Sequence, residues 1–289
     1  MANPLKKFIP KRFRRDGVTI PVVKLSGTIM ASGSAFRQGL SIASAAPLLE
    51  KAFGDKNAPA VAIVVNSPGG SPVQSRLIFK RIRDLAAEKE KHVLVFVEDV
   101  AASGGYMIAC AGDEIIADPS SIVGSIGVVS GSFGFVEAIQ KLGIERRVHT
   151  AGQNKATLDP FQPEKPEDVA HLKELQLEVH ETFIDLVRTR RGARLVEDDQ
   201  LFSGLFWSGK RGRELGLVDA LGDIRETLRL RYGETVKLEL IAQGRTLFGR
   251  KPRGISAGAE GGLAAIGEGL ADRIIANLEE RAVWARFGL

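Results

Sequence analysis

The sequence of 289 residues predicts an α/β protein built on a largely parallel sheet. Two observations carry this expectation. Wholly apolar runs at 61–65 and 93–97 have the composition of strands covered on both faces. Each run is followed by a glycine turn and then by a segment with apolar residues at helical spacing, so a strand, turn and helix unit occurs twice within about fifty residues. Units of this kind build parallel sheets through right-handed crossovers.

Taken in order, residues 18–25 are apolar and β-branched and form a first strand that Gly27 ends. The strand at 61–65 closes on Asn66-Ser-Pro-Gly-Gly-Ser71, after which Leu77, Ile78, Ile82 and Leu85 mark a helix. The strand at 93–97 is expected to end at Glu98 and Asp99; the turn Ala101-Ala-Ser-Gly-Gly105 and an apolar helix over 106–111 follow. A strand at 114–117, a Gly/Ser-rich loop and a short strand ending at His149 come next. Beyond Lys165 a long polar helix carries a stripe of Leu172, Leu175, Val179, Phe183 and Leu186, and Gly192 ends it. Ser208 caps a short helix ending at Gly216, and a last strand covers 237–241. The resulting division is a basic arm over 1–17, one α/β domain over 18–241, a Gly-rich basic linker over 242–262 and an amphipathic helix over 263–289.

With 44% hydrophobic and 26% charged residues the chain has an ordinary core. Its single cysteine, Cys110, excludes an internal disulfide and a cysteine-based zinc site, and four histidines make a poor metal set, so no metal or cofactor is expected. A net charge of +5 is too mild to indicate nucleic acid. The arm is different: Lys6, Lys7, Lys11, Arg12, Arg14 and Arg15 all precede the first acid, Asp16. Leu5, Phe8, Ile9 and Phe13 interleave with them, and Pro10 interrupts the pattern. Two readings stand for this arm, a solvated tail and a peripheral contact with an anionic membrane. Without an apolar signal or spanning stretch the sequence reads as cytoplasmic, at most peripheral at the inner face of the membrane.

The chemistry concentrates in two turns and one lysine. Ser103 lies between a buried strand and an apolar helix, beside Ala102 and Gly104, where a hydroxyl and free backbone N–H groups coincide. That is what an acyl-transfer nucleophile needs. The turn Ser67-Pro-Gly69-Gly70 offers further N–H donors at a neighbouring strand end, where ligands of parallel sheets gather. For the base, His92 opens a strand and His171 and His180 lie on the charged helix, leaving His149 in reserve. Lys155 sits in a loop without another charge between His149 and Asp159; burial there would favour its neutral amine, which can accept the serine proton.

Four segments in this order, Asn66-Ser-Pro-Gly-Gly-Ser71, Ala102-Ser103-Gly-Gly-Tyr106, Asp118-Pro-Ser-Ser-Ile-Val-Gly-Ser125-Ile-Gly-Val128 and Gly152-Gln-Asn-Lys155-Ala, resemble the signal peptide peptidase A family of serine proteases. Gly209-Lys-Arg-Gly-Arg-Glu-Leu-Gly-Leu-Val-Asp219 resembles its closing motif. The resemblance implies a ClpP/crotonase-like fold and a Ser-Lys dyad. Ser103 would be the nucleophile, Lys155 the general base, and Ser125 the hydroxyl that orients the lysine. Gly69 or Gly70, together with Gly104, would supply the oxyanion hole. It also implies a homo-oligomer, in which the lysine serves its own serine or a neighbour's. The expected substrate is a short, extended, apolar peptide such as a signal-peptide remnant, its side chains entering a pocket near Phe79, Ile126 and Val128. Three alternatives share the scaffold: an acyl-CoA enzyme, which would need acids such as Glu98 and Asp99; a Ser-His-Asp protease; and an inactive scaffold.

Overall fold

A computed structural model describes residues 17–31, 39–242 and 281–289. The basic arm, most of the linker and most of the amphipathic helix expected near the C-terminus lie outside these residues.

An eight-stranded sheet forms the centre of the domain. Strands β1 (Thr19–Ser26), β2 (Ala60–Ser67) and β3 (His92–Ala102) run parallel, with β8 (Lys237–Leu240) added parallel to the outer side of β1. Every residue of β2 except Asn66 is buried, because helices cover both sheet faces. On one face Val61, Ile63, Val65, Val93 and Val95 pack beneath α1 (Ile42–Phe53), α2 (Pro72–Glu88), α3 (Gly104–Ala109) and the last turns of α5 (Pro166–Arg191). On the other, Ala60, Ala62, Val64, Leu94 and Phe96 pack against Leu228 of α7 (Ile224–Tyr232).

β3 does not end at Glu98 and Asp99, contrary to the sequence expectation. It forks there. Residues 94–97 pair with β4 (Glu114–Ala117), which pairs in turn with β7 (Ala220–Leu221), whereas residues 100–102 pair with β5 (Ile122–Gly124) and through it with the antiparallel β6 (Phe206–Ser208). The two charges are tolerated because their side chains leave the core: Glu98 pairs with Lys24 at 2.7 Å, and Asp99 accepts from Asn66 Nδ2 at 2.6 Å.

The helices begin where the sequence supplies caps. The Ser71 hydroxyl accepts from Gln74 N, with Pro72 in the first turn of α2, and Ser208 accepts from Arg211 N at the start of α6 (Gly209–Glu214). Residues 144–150 are not a strand; after α4 (Val136–Lys141) the chain is irregular up to α5, exposed to Lys155 and half-buried over 156–159. The stripe on α5 is buried only toward its end, at Phe183 and Val187, while Leu175 and Val179 stay exposed. Near that end Arg191 is 2% exposed and meets both carboxylate oxygens of Asp219 at 2.8 and 2.9 Å, tying α5 to the strand end that leads into β7.

Candidate active site

The two glycine turns converge at the carboxyl ends of β2 and β3. Ser103 is the N-cap of α3 and has φ +51° and ψ −122°, a conformation that costs a Cβ-bearing residue about 1–3 kcal/mol. Three contacts hold it there. Its N–H donates to Gly124 O of β5 at 2.8 Å, its carbonyl accepts from Met107 N at 3.0 Å, and the turn at Gly69 packs against its side. A Cβ on Gly69 would stand 2.8 Å from Ser103 Cβ and 2.9 Å from Gly104 N. The Ser103 side chain makes no capping bond, which leaves its hydroxyl free for chemistry. The arrangement is a sharp strand-to-helix turn that presents a serine, a geometry suited to nucleophilic attack.

The candidate oxyanion donors differ in what they already bind. The N–H of Gly69 donates to the Ser67 hydroxyl at 3.2 Å, and that hydroxyl donates to Gly27 O at 2.7 Å. The carbonyl of Gly69 accepts from Ile29 N, and Ser71 N donates to Ile29 O, so the turn is stitched to the chain after β1 on either side of Gly70. Among the described residues Gly70 N and Gly104 N have no backbone acceptor. Gly104 opens α3, where no intrahelical partner exists, and its Cα lies so close to Ser75 that a Cβ would be 2.2 Å from Ser75 Oγ.

Ser125 follows Gly124, which is in register with Ala102, so it lies beside Ser103 at the next strand end. It too has positive φ, +53°, and its N–H donates to Leu205 O at 2.7 Å. Of the expected pocket residues, Ile126 is wholly buried in the core, while Phe79 and Val128 are half-buried, Phe79 against that core. His180, set aside in the sequence because it lies on a charged helix, is half-buried and donates from Nε2 to Ile126 O at 3.0 Å. It anchors α5 to the loop next to Ser125; its place one turn before the buried Phe183 was the available signal.

Lys155 lies elsewhere. It is exposed, in a turn closed by its own N–H to Gly152 O at 3.2 Å. The burial expected of a lysine base is therefore not met within the single chain. The reason is the segment that carries it. Phe135 N donates to Pro160 O, Leu158 N to an Asp168 oxygen and Gln176 Nε2 to Ser130 Oγ, Arg146 pairs with Asp159, and Phe135 stacks on Phe161. Among the described residues, the hydrogen bonds of 130–165, the Lys155 arm, stay within that segment or go to α5, and none reaches β3. A cavity of about 270 Å³ lies inside the arm, lined by Phe133, Val136, Leu158 and Pro160, and touches neither Ser103 nor Lys155. His149 is on the same exposed arm. Among the described residues no cluster of metal-ligating side chains occurs.

Residues 86–238 match the family model of peptidase family S49. A Na(+)/H(+) antiporter NhaA of Brucella abortus is 62% identical over 288 residues, 99% of this chain but 39% of that protein. A putative protease of Methanocaldococcus jannaschii is 34% identical over 63% of this chain and 58% of its own, and Protease 4 of Haemophilus influenzae 33% identical over 76% and 36%. This chain thus spans about two fifths of the antiporter relatives. Among solved structures, the 1510-N membrane-bound stomatin-specific protease aligns over 79% of this chain and 99% of its own at 15% identity, with a TM-score of 0.48. Over more than half its length, including the Ser103 turn and the forked strand that leads to it, the chain matches one family of serine peptidases: it belongs to peptidase family S49.

Proposed function

We propose that the protein is a serine endopeptidase that uses Ser103 and Lys155 to cleave short, extended, apolar peptides such as signal-peptide remnants. The observation that carries this reading is the strained Ser103 turn, wedged between Gly69 and Gly124, with its hydroxyl uncommitted and, among the described residues, the N–H groups of Gly70 and Gly104 without a backbone acceptor. Ser103 Oγ attacks the scissile carbonyl as the neutral Lys155 amine takes its proton. The oxyanion is met by the Gly70 and Gly104 N–H groups. Lys155 then returns the proton to the leaving amine, and water, activated by the same amine, hydrolyses the ester. Ser125, next to Ser103, holds the lysine amine in line.

The lysine is supplied by a neighbouring subunit of a homo-oligomer. Among the described residues the segment 130–165 makes no hydrogen bond to β3, and Phe133, Leu142 and Ile144 on it are 79, 72 and 54% exposed, an apolar surface of the kind that assembly covers. The enzyme works at a membrane surface. None of the described helices is long and apolar enough to cross a membrane. Supporting the surface reading are the six basic residues before Asp16 and the Brucella relatives, in which a close match to this chain is part of a much longer protein named as an antiporter.

The test uses Ser103→Ala and Lys155→Ala, each expected to abolish hydrolysis of an unstructured apolar peptide because a dyad acts as a unit. Co-assembly of the two inactive variants should restore part of the activity. Lys155→Ala at the wild-type rate would reject the lysine base, and an inactive mixture would place the lysine in its own subunit. Sedimentation with anionic but not neutral vesicles, lost on deleting 1–16, tests the surface reading.

A further inference from the structure

Beyond the fork, β3 directs Ala101 into the main core and Val100 and Ala102 to the opposite sheet face. α7 does not cover that end of the face. The segment 281–289 does. Residues 281–285 are helical, and Phe287, 7% exposed, forms a separate buried cluster with Val100 and Ala102 that Trp284 and Ile122 border. The Phe206 ring of β6 meets Phe287 edge-on at 5.1 Å. A bond from Phe287 N to Trp284 O at 2.9 Å closes the turn that points the ring inward.

This cluster lies directly behind the nucleophile, since Ala102 is the residue whose carbonyl carbon bonds to Ser103 N. Serine keeps a φ of +51° only where its surroundings over-determine it. From the front, Gly69 and Gly124 do so. From the back, β5 pairs with 100–102 over three residues and β2 reaches that stretch at Ser67 opposite Ala101, and the apolar support is the buried Phe287 ring with Ile122 and Trp284 at its border. We propose that Phe287 is a positioning residue for the reaction: by filling the space under Val100 and Ala102 it fixes the peptide that carries Ser103, so that the segment 281–289 supports the active site from behind. The proposal rests on Ser103 being the nucleophile.

The test is a chain lacking 281–289, assayed for peptide hydrolysis and for covalent labelling of Ser103 by a fluorophosphonate. kcat and the labelling rate should both fall about tenfold to a hundredfold, the cost of a misplacement on the order of 1 Å, with KM within about twofold. A synthetic peptide of residues 281–289 should restore both. In the full chain Phe287→Leu should retain most of the rate and Phe287→Ala should not. An unchanged labelling rate and kcat in both the shortened chain and Phe287→Ala would overturn the proposal. A rise in rate on removing the segment would overturn it too, since the segment would then obstruct rather than support. If the shortened chain fails to fold, Phe287→Ala against Phe287→Leu decides alone, and equal rates for the two reject the role. Activity surviving in Ser103→Ala would instead reject the nucleophile assignment, which separates the two failures.

Discussion

Replacing Gly69 by alanine perturbs Ser103, the proposed nucleophile, through one methyl group. Gly69 has φ +103°, where a side chain is strained at a cost of about 1–2 kcal/mol. The new Cβ would stand 2.8 Å from Ser103 Cβ, 2.9 Å from Ala102 O and 2.9 Å from Gly104 N. None of these is the free end of a flexible side chain, so overpacking adds about 1–3 kcal/mol. The sum, about 2–5 kcal/mol, is tolerable within an ordinary domain stability of roughly 5–15 kcal/mol. The methyl is relieved by pushing Ser103 away, and a shift on the order of 1 Å costs about a hundredfold in rate. Gly69→Ala is thus expected to fold, melt lower, lose about a hundredfold in kcat and label slowly with a fluorophosphonate. Gly70→Ala is the contrast: its methyl would meet Ile29 O at 2.0 Å, so it breaks the stitch to the chain after β1 and loses more stability. A Gly69→Ala protein with the wild-type melt and kcat would refute the reasoning.

Asp219→Ala leaves the buried Arg191 guanidinium without its carboxylate and should cost about 3–5 kcal/mol by chemical denaturation, much of it recovered in the double variant Arg191→Met, Asp219→Leu. Burial pushes the Asp219 carboxyl up, but the Arg191 hydrogen bonds and charge, the Ile115 N–H and Arg194 together hold it below the ordinary range. The unfolded chain therefore binds the proton more readily. This stabilisation is complete above the unfolded carboxylate value of about 3.9 and is lost as pH falls through the lower folded value, so denaturation curves of Asp219→Ala should be flatter than wild type across that window. Burial also pushes the Cys110 thiol up to about 12. Ellman's reagent should leave it unmodified in the native protein and react once denaturant is added; rapid native labelling would show that α3 opens.

The elements with their own periodicity were legible in the sequence. The apolar runs of β2 and β3, the glycine turns and the stripe on α2 each declare a conformation within a few residues, and the structure places the strands and helices there. β5 did not declare itself: three residues in a Gly/Ser-rich loop carry no alternation, and Ile122–Gly124 is a strand only because β3 continues past Glu98 and Asp99 to pair with it. That continuation was hidden because two adjacent charges look like a strand end; Lys24 and Asn66, which accept them, come from other strands. Ser103 and the glycines were recognisable as small residues in turns at strand ends, whereas Ser125 was singled out only by the family resemblance of its segment. The exposure of Lys155 was not, since whether a neutral loop is buried depends on what packs over it. The contact of Phe287 with Val100 and Ala102 joins residues almost two hundred positions apart and leaves no local trace.

The fork in β3 divides the sheet into regions of unequal security. Residues 94–97 lie between β2 and β4, paired along their whole length on both sides, with Leu94 and Val95 at zero exposure. Residues 100–102 are equally buried but have shorter pairings, with the three-residue β5 on one side and only Ser67 at the end of β2 on the other. Amide hydrogens there are positioned to exchange through local opening, well before the global unfolding that the first stretch requires. Ser103 thus follows the stretch of β3 that has the shorter pairings, one residue past them.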